Sequence, residues 1–346
     1  MSRLVRVSSS SAGLTRRRRR GGFDYLDGAG RPVDAETVER IEALVLPPAW
    51  EGVWICPIGH GHIQATGLDA RGRRQYRYHD QWRVQRDLAK HERILDFGQA
   101  LPQARQRVAE DLADRELTRR RVLGCAVRLL DLGFFRVGSE QYAQQNQTYG
   151  LATIRREHVT VSRGGVITFD YIAKSGKHRV QAVADPQVAK VITAMKRRRG
   201  GDDELLAWRD GDRWVDVKSH DINEHLREVT GGDYTAKDFR TWNATVFTAV
   251  GLAVSTHATT TTARKQAVTR VVKEVALYLG NTPAVCRTSY IDPRIIDLYE
   301  SGVTVASELP DLGLDTVFGQ PAVQGALEAA VLRMLREPVP AVRLAS

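Results

Sequence analysis

The sequence predicts an α+β protein in two parts, a small α+β N-terminal unit containing a β-sheet and a larger, mainly α-helical one. Three observations carry that expectation. Short β-branched and aromatic runs separated by glycine turns crowd into residues 53–78, apolar residues at helical spacing dominate from residue 94, and one small sheet near residues 158–184 interrupts the helices. The expected division is a disordered basic arm over 1–22, an N-terminal domain over 23–93 and a helical domain over 94–346. With 346 residues and 42% hydrophobic content there is enough apolar material for two cores.

Residues 1–22 hold seven arginines, five serines and no acid, ending in Arg16 to Arg20. Transit peptides share such a composition, but the reading preferred is a disordered tail that adds salt-dependent affinity for nucleic acid. A helix is signalled by Asp34 ahead of Val38, Ile41, Leu44 and Val45. Strands follow at Val53–Cys56, His62–Thr66 and Arg73–Tyr78, the last two joined by the turn Asp69–Gly72. On the last strand Arg73, Gln75 and Arg77 share one face, and Arg74, Tyr76 and Tyr78 the other. Eight basic residues against three acids lie between Arg71 and Arg93, continuing along a helix from about Asp80, which suits a surface laid against a phosphate backbone.

Helices are then expected over Ala104–Leu117 and Arg119–Leu132, the second ending in Gly133-Phe134-Phe135-Arg136-Val137-Gly138. Arg136, set between glycines and aromatics, can leave the core and face a ligand, or form a structural salt bridge. Strands at Val159–Val161, Gly165–Ala173 and His178–Val183 place Lys174 at a hairpin tip. A helix over Pro186–Arg199 leads into a Gly200-Gly201 break and a charged stretch read as a linker. In the helix from Ala236, Phe239, Trp242, Val246, Phe247 and Val250 form the buried stripe, and Lys237, Arg240 and Thr241 share an adjacent face, which puts Arg240 on the rim. Val323, Leu327, Ala330, Val331, Met334 and Leu335 make a last amphipathic helix. The segment Gly280–Pro293 closes one helix with a glycine and opens two more at Thr282-Pro283 and Asp292-Pro293. Tyr290 therefore sits at a break between helices, where a phenol can turn toward a substrate as a nucleophile or pack as an interfacial tyrosine.

Composition limits the chemistry. The net charge is +10, and only nine of the 51 basic residues are lysines, so a polyanionic partner is expected. Cys56, Cys125 and Cys286 lie too far apart for a disulfide framework or a zinc ribbon, which points to a reducing cytoplasm. His60 and His62 flank a glycine and His220 and His225 are five apart, so no metal is expected. Gly176-Lys177 looks like the tail of a phosphate loop, but Tyr171 stands where its first glycine must be, so no nucleotide and no other cofactor is expected. No apolar run reaches membrane-spanning length.

Arg136, Lys174, Arg240, Asn281 and Tyr290 occur in that order, and this constellation resembles the type IB DNA topoisomerases in their compact poxvirus and bacterial form. The resemblance runs from about Pro47 to Pro293. Pro48-Ala49-Trp50, Val53–Pro57, Gln64–Gly67 and Gly72–His79 look like that family's N-terminal DNA clamp. Phe135–Gly138, Ala173–Gly176, Lys237–Trp242 and Gly280–Asp292 look like its catalytic domain. The resemblance implies a monomer closing around duplex DNA in the cytoplasm, associated with the nucleoid. Arg73, Gln75, Tyr76 and Tyr78 would touch the duplex. Tyr290 would attack to form a 3′-phosphotyrosyl link, Lys174 would protonate the leaving 5′-oxygen, and Arg136 and Arg240 would stabilise the five-coordinate state without metal or ATP. Many relatives carry histidine where this chain has Asn281, which can donate a hydrogen bond but supplies no charge. A tyrosine recombinase is the nearest alternative, although recombinases usually show His-x-x-Arg where this chain has Lys237-Asp238-Phe239-Arg240. A non-catalytic DNA-binding clamp is the other.

Overall fold

A computed structural model describes residues 3–255, 258, 260–309 and 324–336. The chain forms two compact units, Met1–Glu92 and Arg93–Ser346.

The first unit is a five-stranded antiparallel sheet in the order β2-β1-β3-β4-β5, from β1 (Leu14–Arg19), β2 (Gly22–Leu26), β3 (Glu51–Ile55), β4 (Ile63–Leu68) and β5 (Arg74–Tyr78). Helix α1 (Ala35–Ala43), capped by the Asp34 carboxylate, adds Ile41 to a core of Leu14, Val53, Ile55 and Ala65. The disordered arm expected over residues 1–22 is corrected here: from Leu14 the chain is a strand paired with both β2 and β3. The four arginines inside β1 do not stop it because each finds a partner. Arg16 donates to the carbonyls of Pro47 and Trp50 at 3.0 and 2.8 Å and lies over the Phe23 ring, while Arg17 and Arg19 pair with Asp24. Gly21, at φ +86°, makes the tight return into β2.

In the second unit the expected break near residue 104 is absent, since α2 (Asp80–Leu112) runs as one helix through Pro102 and carries the boundary between the units within it. It stops at Leu112 rather than Leu117. Asp114 there accepts from the amides of Arg115 and Glu116 and the hydroxyl of Thr118, building a turn that ends in the N-cap of α3 (Arg119–Leu132). Next come α4 (Glu140–Asn146), a three-stranded antiparallel sheet of β6 (Val159–Val161), β7 (Val166–Ala173) and β8 (Lys177–Ala184), and α5 (Pro186–Arg197).

The stretch read as a linker is a structured hairpin, β9 (Ala207–Asp210) with β10 (Arg213–Asp216). It is fastened to the core by buried Leu205, Leu206 and Val217, and by Arg198, which turns inward to donate to the carbonyls of Asp202, Glu204 and Leu205. The remaining helices are α6 (Ser219–Thr230), α7 (Ala236–Ala253), α8 (Thr261–Leu279), α9 (Pro283–Ser289), α10 (Pro293–Glu300) and α11 (Ala326–Arg336). Val323, counted in the C-terminal stripe, lies outside the described residues. Helix α7 runs through the middle of this core: Phe239 and Trp242 are fully buried, and the Trp242 indole donates to Glu328 of α11 at 2.8 Å.

Candidate active site

Five places in the second unit supply the candidate residues. Arg136 lies on the extended segment after α3, held in place when its carbonyl accepts from Leu151 N at 2.8 Å. Two residues on, Gly138 (φ +87°) passes Gly150 so closely that a Cβ on Gly150 would sit 2.5 Å from the Gly138 Cα, so side chains are excluded from that crossing. Lys174 begins the β7–β8 turn, in which Ser175 and Gly176 both take positive φ and the exposed lysine projects from the hairpin. Arg240 rises from the first turns of α7. Asn281 follows the left-handed cap Gly280 at the end of α8, and Tyr290 is the C-cap of α9.

Arg136, Lys174, Arg240 and Tyr290 line one cavity of about 310 Å³, although as many as 154 residues separate them in sequence. Asn281 joins through Arg136, whose guanidinium donates to the Asn281 Oδ1. Guanidinium is donor-only, so the facing amide atom must be the oxygen and the Nδ2 must point the other way. That Nδ2 is buried with no hydrogen-bond partner.

Arg240 is not on a rim, as the helical face suggested. It is 4% exposed and donates to the carbonyls of Phe134 at 2.6 Å and Leu279 at 2.8 Å. The flank of α7 that carries it is covered by the Gly133–Arg136 segment and the end of α8, which a periodicity argument cannot see. Burial first, and the neighbouring Arg136 second, bring its pKa down to about 10, still cationic at neutral pH. Its Nε is buried and unpartnered.

The Tyr290 ring lies under this cation, 5.2 Å from centroid to the Arg240 guanidinium carbon. Burial raises the phenol pKa, but the charges of Arg240 and Arg136, with a smaller contribution from Lys237, more than offset it and hold it below 10. The backbone around the tyrosine is pinned from α7: the Thr245 hydroxyl donates to Tyr290 O at 3.4 Å and accepts from Asp292 N at 3.2 Å.

Lys237 also lines the cavity and was not singled out as a site residue. Its signal was its position three residues before Arg240, on the same helical face. Carboxylate oxygens of Asp202, Glu204 and Asp216 gather within 4.8 Å of one another at the β9–β10 hairpin. Burial and then the other two acids push Asp216 up to about 6, and the Arg198 guanidinium already stands 4.0 Å from its Oδ1. None of the three lines the cavity.

The candidate DNA-contacting residues lie in the first unit, on and beside the edge strand β5. Tyr76 and Tyr78 are exposed and stacked, with centroids 5.9 Å apart. Gln75 and Arg73 instead both bond the Asp69 carboxylate at 2.9 Å, and Arg77 turns to the Leu44 carbonyl and Asp80. The outward face of β5 is therefore Arg74, Tyr76 and Tyr78.

Residues 79–303 match the family described as eukaryotic DNA topoisomerase I, catalytic core, and residues 22–69 match bacterial DNA topoisomerase IB, N-terminal domain. The chain belongs to the type IB DNA topoisomerases. All five candidate catalytic residues fall inside the longer match, whereas β5 lies between the two. The topoisomerase is 30% identical over 287 residues to DNA topoisomerase 1B of Acanthamoeba polyphaga mimivirus, covering 81% of this chain and 84% of that one. It is 30% identical over 161 residues to DNA topoisomerase 1 of Schizosaccharomyces pombe, covering 46% of this chain but 19% of the relative. Against DNA topoisomerase 1 of Daucus carota it is 28% identical over 138 residues, 16% of that protein. It is thus similar in extent to the viral enzyme and spans under one-fifth of these two longer relatives.

Proposed function

We propose that this topoisomerase relaxes supercoiled duplex DNA by cutting one strand through Tyr290, holding it as a 3′-phosphotyrosyl ester and resealing it, without ATP or metal. The observation that carries the reading is the cavity lined together by a phenol held below its ordinary pKa by two guanidinium groups and by an exposed lysine. The Tyr290 oxygen attacks the scissile phosphorus and loses its proton to solvent, the bond from phosphorus to the 5′-oxygen breaks, and Lys174 delivers a proton to the departing oxygen. Negative charge that grows on the non-bridging oxygens meets Arg136 and Arg240. Each retains donors beyond those spent on Asn281, Phe134 and Leu279. Asn281 enters this reading as the neutral member of the five, able to give a hydrogen bond to that phosphate but no charge. Loss of one such donor in a dry site costs roughly 2.7–4 kcal/mol of barrier.

The covalent ester keeps the energy of the broken bond, so attack by the free 5′-hydroxyl reverses the step, and rotation in the interval releases supercoils. Outside the cavity, the exposed Arg74, Tyr76 and Tyr78 suit contact with a duplex. Phosphate contacts would position the protein and make binding steep in salt, and the monomer would close its two units around DNA.

The test is relaxation of negatively supercoiled plasmid in EDTA without ATP, with detergent trapping of any covalent adduct and Tyr290→Phe run alongside. Relaxation and adduct with the native protein, and neither with the variant, are expected. Tight DNA binding by both proteins with no relaxation by either would refute the enzymatic reading.

A further inference from the structure

The end of α8 is held in an unusual way. A helix leaves its last four carbonyls without intrahelical partners. Here Ala276 O accepts from Asn281 N and Leu277 O from Gly280 N, both at 3.0 Å, as a left-handed glycine cap provides. The other two are taken by side chains from elsewhere in the fold: Tyr278 O accepts from Arg179 Nη2, and Leu279 O from Arg240 Nη2. The Arg179 guanidinium lies against the cap itself, since a Cβ on Gly280 would stand 2.8 Å from its Nη1. Its Nε donates to Gln181 at 3.2 Å, which keeps the group turned toward the helix end.

Arg179 is on β8, five residues after Lys174 and on the return strand of the same hairpin. It therefore joins the hairpin that carries Lys174 to the joint that carries Asn281 and, one short helix later, Tyr290. Nothing about this arginine resembles an ordinary structural ion pair. Among the described residues no carboxylate pairs with Arg136, Arg179 or Arg240. Burial, then Arg136, lower the Arg179 pKa, and Arg179 in turn lowers that of Arg240. Three cations kept together without a counter-ion cost stability, and they fit a site completed by a polyanion.

We propose that Arg179 is a positioning residue for strand cleavage: by holding the α8–α9 joint to the Lys174 hairpin it sets Asn281 against Arg136. This rests on the cleavage reaction proposed above. Without the Arg179 bond the Tyr278 carbonyl loses its partner, the cap can shift, and the Asn281 amide loses its register with Arg136.

The test is single-turnover formation of the covalent adduct at saturating duplex, measured for the native protein, Arg179→Ala, Arg179→Lys, Asn281→Ala and the Arg179→Ala/Asn281→Ala double variant. DNA affinity and thermal stability are measured on the same samples. Arg179→Ala should slow adduct formation by about 10- to 100-fold, the range expected of a displacement of about 1 Å at a reacting centre, with DNA affinity within about threefold. Arg179→Lys, which can still reach one carbonyl, should recover part of the rate. The double variant should be no slower than the slower single variant, because the two residues act as a unit. Rates that multiply in the double variant, an Arg179→Ala rate within twofold of native, full activity of Asn281→Ala, or a rate loss matched by loss of folded protein would each overturn the assignment. Absence of adduct from the native protein would instead refute the reaction itself, and the role of Arg179 with it.

Discussion

Arg240→Met should separate the stability of this enzyme from its chemistry. Arg240 is buried, and its pKa, brought down to about 10 from the ordinary guanidinium range, means that the folded state destabilises its charge by about 3 kcal/mol, at about 1.4 kcal/mol per pH unit. The sign follows from proton binding. Since the folded-state pKa lies below the unfolded one, the cost is fully present below about pH 10 and is relieved as pH rises from there toward the ordinary guanidinium range. At neutral pH, methionine of similar length removes that cost but strands the carbonyls of Phe134 and Leu279, each worth about 1–3 kcal/mol if left unpaired. The net change runs from about 1 kcal/mol more stable to about 3 kcal/mol less stable than native. Cleavage loses a charged donor at the phosphate and should fall by at least about 100-fold. Urea unfolding at neutral pH and single-turnover adduct formation on the same preparations make the comparison. A variant that cleaves within tenfold of native, or that loses more than about 5 kcal/mol of stability, would refute this account of Arg240.

Two further predictions concern charge. Because Arg240 and Arg136 outweigh burial and lower the Tyr290 phenol, the cleavage rate should climb with pH on a limb below that of an ordinary tyrosine; Arg136→Gln should move that limb to higher pH, and an unmoved limb would remove Arg136 from the tyrosine's environment. At β5, Asp69 has a pKa of about 2, so it holds Arg73 and Gln75 at any working pH. Asp69→Asn keeps the turn acceptor and removes the carboxylate charge that neutralises Arg73, so duplex affinity at low salt should rise and the slope of log K against log salt should steepen by about 0.9. An unchanged slope would mean that Arg73 meets no phosphate.

Local chemistry was legible in the sequence. Gly280 is left-handed at φ +63°, and the side chains of Thr282 and Asp292 cap helices beginning at Pro283 and Pro293, because a cap needs only a side chain and the backbone two or three residues away. Lys174 stands at a hairpin tip for a similar reason: strand alternation and a Ser-Gly turn are short-range signals. The order of five residues also carried the family to which the chain belongs.

What only the tertiary structure decided are contacts between residues far apart in the chain. The Arg16–Arg20 run reads as a tail until carbonyls from residues 47 and 50 satisfy Arg16 and Asp24 pairs with Arg17 and Arg19. Arg240 reads as a rim residue until Phe134 and Leu279, separated from it by 106 and 39 positions, cover it and accept its bonds. Asn281 reads as a weak substitute for histidine until Arg136, 145 positions away, takes its oxygen and leaves its amide nitrogen buried without a partner. Arg179 carries no sequence signal at all. Periodicity and caps report the environment within a turn or a strand, whereas burial of a cation and the orientation of an amide depend on which distant backbone the fold brings alongside.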